Sequence, residues 1–159
     1  MSTAIDQGRY REVLGHFASG VTVVAALTED GPLGFTCQSF SALSLNPALV
    51  MISPAKTSSS WPRMQAVGSF CVSVLSDEQE AVALAFATSG GPKFEGVGYH
   101  SAASGSPIID ESLAFIDCEI DRVIEAGDHL VVIAKVRELG LGEGRPLLYY
   151  RSGFAGLGQ

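Results

Sequence analysis

The chain has 159 residues, 47% hydrophobic and 17% charged, which is material for one packed domain, expected over residues 1–159, and too apolar for a disordered solvating segment. Ten Lys and Arg against 17 Asp and Glu leave a formal charge of −7, so the basic stripe that displaces counterions is missing and nucleic acid is excluded as a partner. The longest apolar runs, Val21 to Leu27 and Leu130 to Ala134, fall far short of the ~20 residues that cross a bilayer, and Met1 to Arg11 lacks the apolar core of a secretion signal, so neither a membrane span nor export is expected.

Asp6 is placed to cap a short helix in which Tyr10, Val13, Leu14 and Phe17 recur at i, i+3, i+4 and i+7, with Gly20 as its end. Val21 to Leu27 is a β-branched strand. It meets Glu29-Asp-Gly-Pro32, whose Asp-Gly pair tolerates positive φ, so a hairpin into Leu33 to Phe40 is expected. After Asn46-Pro47, the continuous apolar run Leu49 to Ile52 has the composition of a strand covered on both faces. Ser58 to Val67 reads as a short helix with Pro62 in its first turn, closed by Gly68. Phe70 to Leu75 is a further strand, and Ser76-Asp-Glu-Gln79 resembles a capping box opening a helix through Phe86. From Ala87 to Ser106 the Gly, Ser and Pro content rises, which predicts an irregular loop.

In Leu113 to Ile124, alternation sets Ala114, Ile116, Cys118 and Ile120 against Asp117, Glu119 and Asp121, the period of a half-buried strand. Gly127-Asp128 turns the chain into His129 to Leu139, and Leu147 to Arg151 follows. Six or seven strands joined mainly by hairpins, with helices as accessories, point to a mainly β antiparallel barrel or sandwich.

Phosphate-loop, nucleophile-elbow and His-Glu-x-x-His signatures are missing, and Gly96 and Gly98 are followed by Ser101 where a third glycine would complete a dinucleotide fingerprint. A Rossmann enzyme is disfavoured, and no group of residues has metal-ligand spacing. Cys37, Cys71 and Cys118 are odd in number and far apart, which fits reduced thiols in a cytoplasmic setting and no disulfide framework. Cys71 and Cys118 read as core residues.

Two segments stand out. In Gly34 to Ser41, the polar Thr36, Gln38, Ser39 and Ser41 occupy both faces of a strand; hydroxyls and backbone amides there can serve a planar heterocycle, with Gly34 allowing close approach. The competing reading is an edge strand whose hydroxyls bond locally. In Ser53 to Ser60, hydroxyls, free amides, a helix start and Lys56 converge as an anion site, against the plainer reading of a serine-rich cap. The order is ring binder, then phosphate binder, within 30 residues. Trp61 and Phe40 are candidate stacking partners, or simply core. Asp128-His129 suggests a carboxylate-oriented imidazole, but neighbours in a strand point to opposite faces, so His129 is expected to face a pocket alone or to be structural. His16 and His100 have weaker cases.

Phe17 to Val24, Gly34 to Pro47, Phe70 to Leu75, Lys93-Phe94, Gly127-Asp-His129 and Pro146 to Tyr150 together resemble the short-chain flavin reductase family, the reductase components of two-component aromatic monooxygenases. The resemblance runs in order from about Tyr10 to Phe154. It implies an FMN-binding split β-barrel with short flanking helices, a homodimer, and reduction of FMN or FAD by NADH or NADPH for a separate monooxygenase component. It also implies a cofactor site. Phe35, Thr36, Cys37, Gln38, Ser39, Phe40 and Ser41 would lie along the isoalloxazine beside Gly34. Ser53, Pro54, Ala55, Lys56, Thr57, Ser58, Ser59 and Ser60, ahead of Trp61, would hold the ribityl and phosphate groups. Phe86, Lys93 and Phe94 would border the cleft, and His129 would be the catalytic contact for the nicotinamide, with Tyr150 and Arg151 nearby. Gln38 stands where relatives often have asparagine. Two other readings remain open: a flavin-binding or electron-transfer protein without reductase activity, and a related FMN-dependent oxidase.

Overall fold

The computed structural model describes residues 4–158, so the first three residues and Gln159 of the expected domain lie outside the described residues. The order of elements is α1 (Gln7–Leu14), β1 (Ser19–Gly20), β2 (Thr22–Thr28), β3 (Gly31–Cys37), β4 (Ser41–Leu45), β5 (Ala48–Ile52), α2 (Trp61–Val67), β6 (Ser69–Val74), α3 (Glu80–Ala87), β7 (Tyr99–Ser101), β8 (Pro107–Ile109), β9 (Ala114–Ala126), β10 (His129–Leu141), β11 (Leu148–Tyr150) and β12 (Gly153–Ala155). The fold is mainly β with every ladder antiparallel.

Seven strands form one sheet in the order β3-β2-β6-β9-β10-β5-β4. Its two edges, β3 and β4, are joined directly by residues 38–40, although they stand at opposite ends of the strand order. A link of four residue steps spans at most about 14 Å, so the sheet must roll until its edges come together at this end. The edges do not pair, so the expected mainly β, antiparallel sheet is open and rolled, with no ladder closing it.

Both faces of β2 are covered. Val24 and Ala26 point into the roll with Val50, Ile52, Phe70, Val72 and Val132, where α2 inserts Trp61 and Met64. Val23 and Ala25 point outward beneath Ala83 and Phe86 of α3 and Ile109 of β8. Each fully buried Val, Ile, Phe or Met among these contributes about 1.5–3 kcal/mol. The strand sandwiched on both faces is therefore β2, one strand in from the edge, and not the Leu49 to Ile52 run, where Val50 and Ile52 are buried but Leu49 and Met51 are half-exposed.

Other differences have local causes. Asp6 caps α1, accepting from Arg9 N at 2.8 Å, but the helix ends at Gly15 and leaves Phe17 85% exposed. In the first hairpin Glu29 and Asp30 form the turn, and Gly31 takes the positive dihedral at φ 110°. Asn46-Pro47 turns a further hairpin, β4–β5, which the polar Ser41 to Ser44 stretch does not announce. The Ser76 to Gln79 box is half formed: Gln79 Oε1 accepts from Ser76 N at 2.9 Å, but α3 starts only at Glu80, and Gln79 also donates to Asp110 O. The Ala87 to Ser106 stretch is irregular only to residue 98, after which β7 pairs with β8.

That hairpin explains the largest departure. Asp117, expected on a solvent face, is fully buried, accepting from Ser104 N at 2.9 Å and Ser104 Oγ at 2.6 Å. The turn after β7 covers the outer face of β9 and brings its own donors.

Candidate active site

The cleft lies along the seam of the rolled sheet. Ser39, in the link between the edges, reaches across to Ser53 just after β5: its Oγ accepts from Ser53 N at 2.9 Å and donates to Ser53 O at 3.3 Å. The next residues run beside the start of β10, with Ala55 bridged to His129, Lys56 N donating to Asp128 O at 3.0 Å and Leu130 N to Pro54 O at 2.9 Å. These bonds bring the two singled-out segments and His129 to one place. They line a cavity of about 350 Å3 whose walls are Phe35, Thr36, Cys37, Gln38, Ser39, Ser53, Pro54, Ala55, Ser58 and His129.

A neighbouring cavity of about 430 Å3 is lined by Pro32, Leu33, Gly34, Ser59, Ser60, Arg63, residues 90–92, Lys93, Phe94 and Glu95. Lys93 reaches in from the loop after α3, its Nζ donating to Gly34 O at 3.2 Å and Phe86 O at 3.4 Å. Burial holds its ammonium below the ordinary lysine value, since two carbonyls replace only part of its hydration. Arg63, in the first turn of α2, makes no ion pair among the described residues. Sequence reasoning passed over Arg63, although its place one helical turn beyond Ser59 and Ser60 is the signal that could have found it.

The polar groups of the first segment have partners within the protein. Thr36 Oγ1 donates to Ala83 O at 2.6 Å, Ser41 Oγ to Ala42 O at 3.0 Å, and Cys37 Sγ lies 3.2 Å from Ser39 Oγ. This corrects the idea that a ligand must satisfy those hydroxyls; β3 is an edge strand whose hydroxyls bond to other parts of the fold, and Gln38 is the exposed polar side chain left at the cleft. What β3 offers a ligand is its edge, where backbone N–H and C=O groups lack a strand partner. Burial pushes the Cys37 thiol up, against smaller opposing hydrogen bonds from Ser39, so it is a thiol and not a nucleophile.

Gly34 is also explained differently. A Cβ there would meet Val24 O at 3.0 Å and the Phe86 ring at 3.1 Å, so the close approach Gly34 permits is that of Phe86. Phe86 is itself buried and stands edge-on to Phe94 at 4.8 Å, shaping the cleft through Phe94. Trp61 is buried, edge-on to Phe35 at 6.3 Å and Phe70 at 6.0 Å, with Nε1 donating to Gln65; its ring is core. Phe40 packs against the same interior.

The second segment divides. Ser58 lines the first cavity and Ser59 and Ser60 the second, while Lys56 turns to Glu125 at 3.7 Å and Thr57 is exposed outside both. Lys56 thus lines neither cavity, and the cations that line the second are Arg63 and Lys93. Tyr150 and Arg151 stand elsewhere, at the end of α1, where Arg151 N donates to Gly15 O and Tyr150 lies edge-on to His16.

His129 does have a carboxylate partner, contrary to the opposite-faces argument. Asp128 belongs to the turn and not to the strand, so its side chain is free to come round, and Nδ1 of His129 lies 2.8 Å from Asp128 Oδ1. The hydrogen bond and charge of His129 hold Asp128 below the usual carboxylate range. The pairing fixes the ring and leaves Nε2 for the cleft. His100 bonds Asp110 and His16 bonds Glu12 O, both structural contacts.

A family model described as "Flavin reductase like domain" matches residues 14–158. The chain is 44% identical over 160 residues to "Flavin-dependent monooxygenase, reductase subunit HsaB" of Mycobacterium tuberculosis, covering 99% of this chain and 86% of that protein. Its fold superposes with a TM-score of 0.93 and 45% identity on nitrilotriacetate monooxygenase component B of Mycobacterium thermoresistibile, over 96% of this chain and 87% of the other. A similar match, TM-score 0.89 and 32% identity over 97% and 96% of the two chains, is with the NADH:FAD oxidoreductase SgcE6 of Streptomyces globisporus in complex with NAD and FAD fragments.

Proposed function

This chain belongs to the family of flavin reductase-like domains, and we propose that it exercises that activity at the seam beside β3, using NADH or NADPH to reduce FMN or FAD for a separate flavin-dependent monooxygenase. The observation that carries the reading is the meeting of Phe35 to Ser39, Ser53 to Ser58 and His129 around one cavity. The residues present fit a flavin. An unpaired strand edge suits the donors and acceptors of a planar heterocycle, and two cations without carboxylate partners suit a phosphate on a chain of charge −7.

When bound, the nicotinamide supplies a hydride and the flavin accepts it. The protein's part is to orient and to hold charge. Gln38 and the outer edge of β3 align the ring, Ser58, Ser59 and Ser60 follow its polar chain, and Arg63 and Lys93 take the phosphate. His129, steadied by Asp128, stands at the rim and receives the nicotinamide carboxamide. No protein nucleophile takes part, in keeping with the raised pKa of Cys37.

The rolled sheet with unpaired edges is read as a split barrel forming a single domain over residues 1–159. The exposed apolar face of α1, Tyr10, Val13 and Leu14, suits a homodimer, and three unpaired buried thiols suit the cytoplasm. No helix among the described residues is long and apolar enough to cross a membrane. The decisive experiment mixes purified protein with NADH or NADPH and, in turn, FMN, FAD and riboflavin, following nicotinamide absorbance. Turnover is expected; none with any pairing refutes the reading, and retained yellow flavin without turnover indicates a carrier.

A further inference from the structure

From Thr88, just past α3, to Gly98, just before β7, the chain runs along the second cavity without joining a sheet. The backbone bonds of this segment are its own: Lys93 N donates to Gly91 O at 3.0 Å, Glu95 N to Pro92 O at 3.1 Å and Val97 N to Phe94 O at 3.1 Å. Among the described residues, no backbone bond joins 90–97 to the rest of the fold. Gly90, Gly91 and Gly96 hold φ of 75°, 79° and 77°, each with open space where a Cβ would stand, so the turns bend freely at both ends.

Side chains hold the segment down at two points. Phe94 stands edge-on to Phe86 at 4.8 Å and to Tyr99 at 5.2 Å, and Val97 packs beside it against the cluster of Ala83 and Phe86. Lys93 Nζ donates to Gly34 O on β3 at 3.2 Å and to Phe86 O on α3 at 3.4 Å. A lysine ammonium has three N–H donors, so two carbonyls leave one donor, and the whole positive charge, to the cavity that Lys93 lines. Residues 90–95 supply half of the residues around that cavity, so lifting the segment unroofs it. The attachment lacks one acceptor and one negative charge, and an anion in the cavity provides both.

We propose that residues 88–98 are a strap that closes over the flavin site, and that Lys93 makes its closure depend on the phosphate of the flavin. The inference rests on the reading of the second cavity as the phosphate end. Without an anion, a closed strap keeps a partly desolvated charge unpaired. With one, Nζ joins phosphate, β3 and α3, and opening must break all three bonds. Linkage is reciprocal, so closure strengthens the hold on the phosphate as much as the phosphate favours closure. Riboflavin, which has the ring and no phosphate, leaves the strap as it is in the free protein. The strap thereby sets how long a phosphorylated flavin stays.

The test uses the full chain and limited proteolysis. Chymotrypsin cleavage after Phe94, read by mass spectrometry, reports opening, because that bond is cut when Phe94 leaves its slot between Phe86 and Tyr99. Flavin fluorescence fixes the saturating concentration for each protein. Saturating FMN is expected to slow the cut about tenfold, as for one charge-assisted bond added to the closed state, and saturating riboflavin leaves it at the rate of the free protein. Lys93→Met loses the FMN effect, and Lys93→Arg keeps part of it. Equal slowing by the two flavins in the wild type, or no slowing by either when bound, overturns this inference without recourse to a variant; a full FMN effect in Lys93→Met does the same. A wild type that binds no flavin and oxidises neither NADH nor NADPH overturns the functional reading, and this inference with it.

Discussion

A methyl group added at Gly34 separates two accounts of that glycine. The Cβ would sit 3.0 Å from Val24 O and 3.1 and 3.3 Å from two carbons of the Phe86 ring, so something must move by a few tenths of an ångström. Val24 O is held in the β2–β3 ladder and Phe86 is 1% exposed, wedged against Phe94, so neither yields freely. Overpacking of this kind costs about 1–3 kcal/mol. Against it stands the stiffening of the unfolded chain, about 0.4–1 kcal/mol, available because Gly34 has no positive φ. The net loss for Gly34→Ala is then about 1 kcal/mol, or a melting temperature lower by about 2–4 °C for a domain of this size. Urea titration with and without Phe86→Leu supplies the check, because contacting residues couple by about 0.5–3 kcal/mol and the smaller ring should relieve the clash. If Gly34→Ala is as stable as wild type and only flavin binding suffers, the glycine serves the ligand, and the packing account of it is wrong.

Three further outcomes are expected. Arg63→Ala should raise the KM for FMN about tenfold, the loss of one charged hydrogen bond, while leaving that for riboflavin, which lacks the phosphate, unchanged; an equal effect on both would remove Arg63 from the phosphate site. Asp117→Ala deletes the acceptor of both Ser104 bonds, at a cost of about 1–3 kcal/mol for the charged hydrogen bonds lost, and hydrogen exchange should rise first at Ser104 N; protection there equal to wild type would contradict the anchoring role. Burial, helped by the charge of Asp117, pushes the Cys118 thiol up from 9.0 to about 12. Its contribution to stability is whole below pH 9 and is lost as pH rises from about 9 to about 12, because the unfolded thiol ionises first; Cys118→Ala should flatten that decline in urea titrations, and an unaltered slope would show that the thiol is not its source.

How far residues alone reach depends on whether a signal is local. Asp6 before an apolar helical period, Gly68 after Val67 and the Asp-Gly turn act within a few residues, and each sits where its chemistry places it. Alternation along β9 is equally local, yet it says only which residues share a face. That Asp117 is buried depends on Ser104 arriving from a separate hairpin, and nothing near position 117 announces it. The Gly34–Phe86 contact spans 52 positions and has the same character. At the candidate site, the Phe35 to Ser39 segment and the serines were legible as cleft-lining because each is continuous in sequence. Arg63 and the Asp128–His129 bond were not, since one needs the cavity and the other needs Asp128 to lie in a turn.

On the proposed reading, the open seam lets one small sheet serve two substrates. A fully closed ladder would pair every backbone group of β3 and leave none for a heterocycle. A fully open edge would invite pairing with other chains. Here the rolled sheet stops short of closure, with the link at residues 38–40 and the Ser39–Ser53 bonds standing where a seventh ladder would be. On the same reading, the side chains that would grip the phosphate without enclosing it are short hydroxyls with the exposed Arg63 and the part-buried Lys93. A reductase that must release its reduced product needs such a site, because each further buried charge pair would slow departure more than it would aid transfer. Flavin dissociation faster than turnover is the kinetic counterpart this reading expects, and stopped-flow release slower than turnover would refute it.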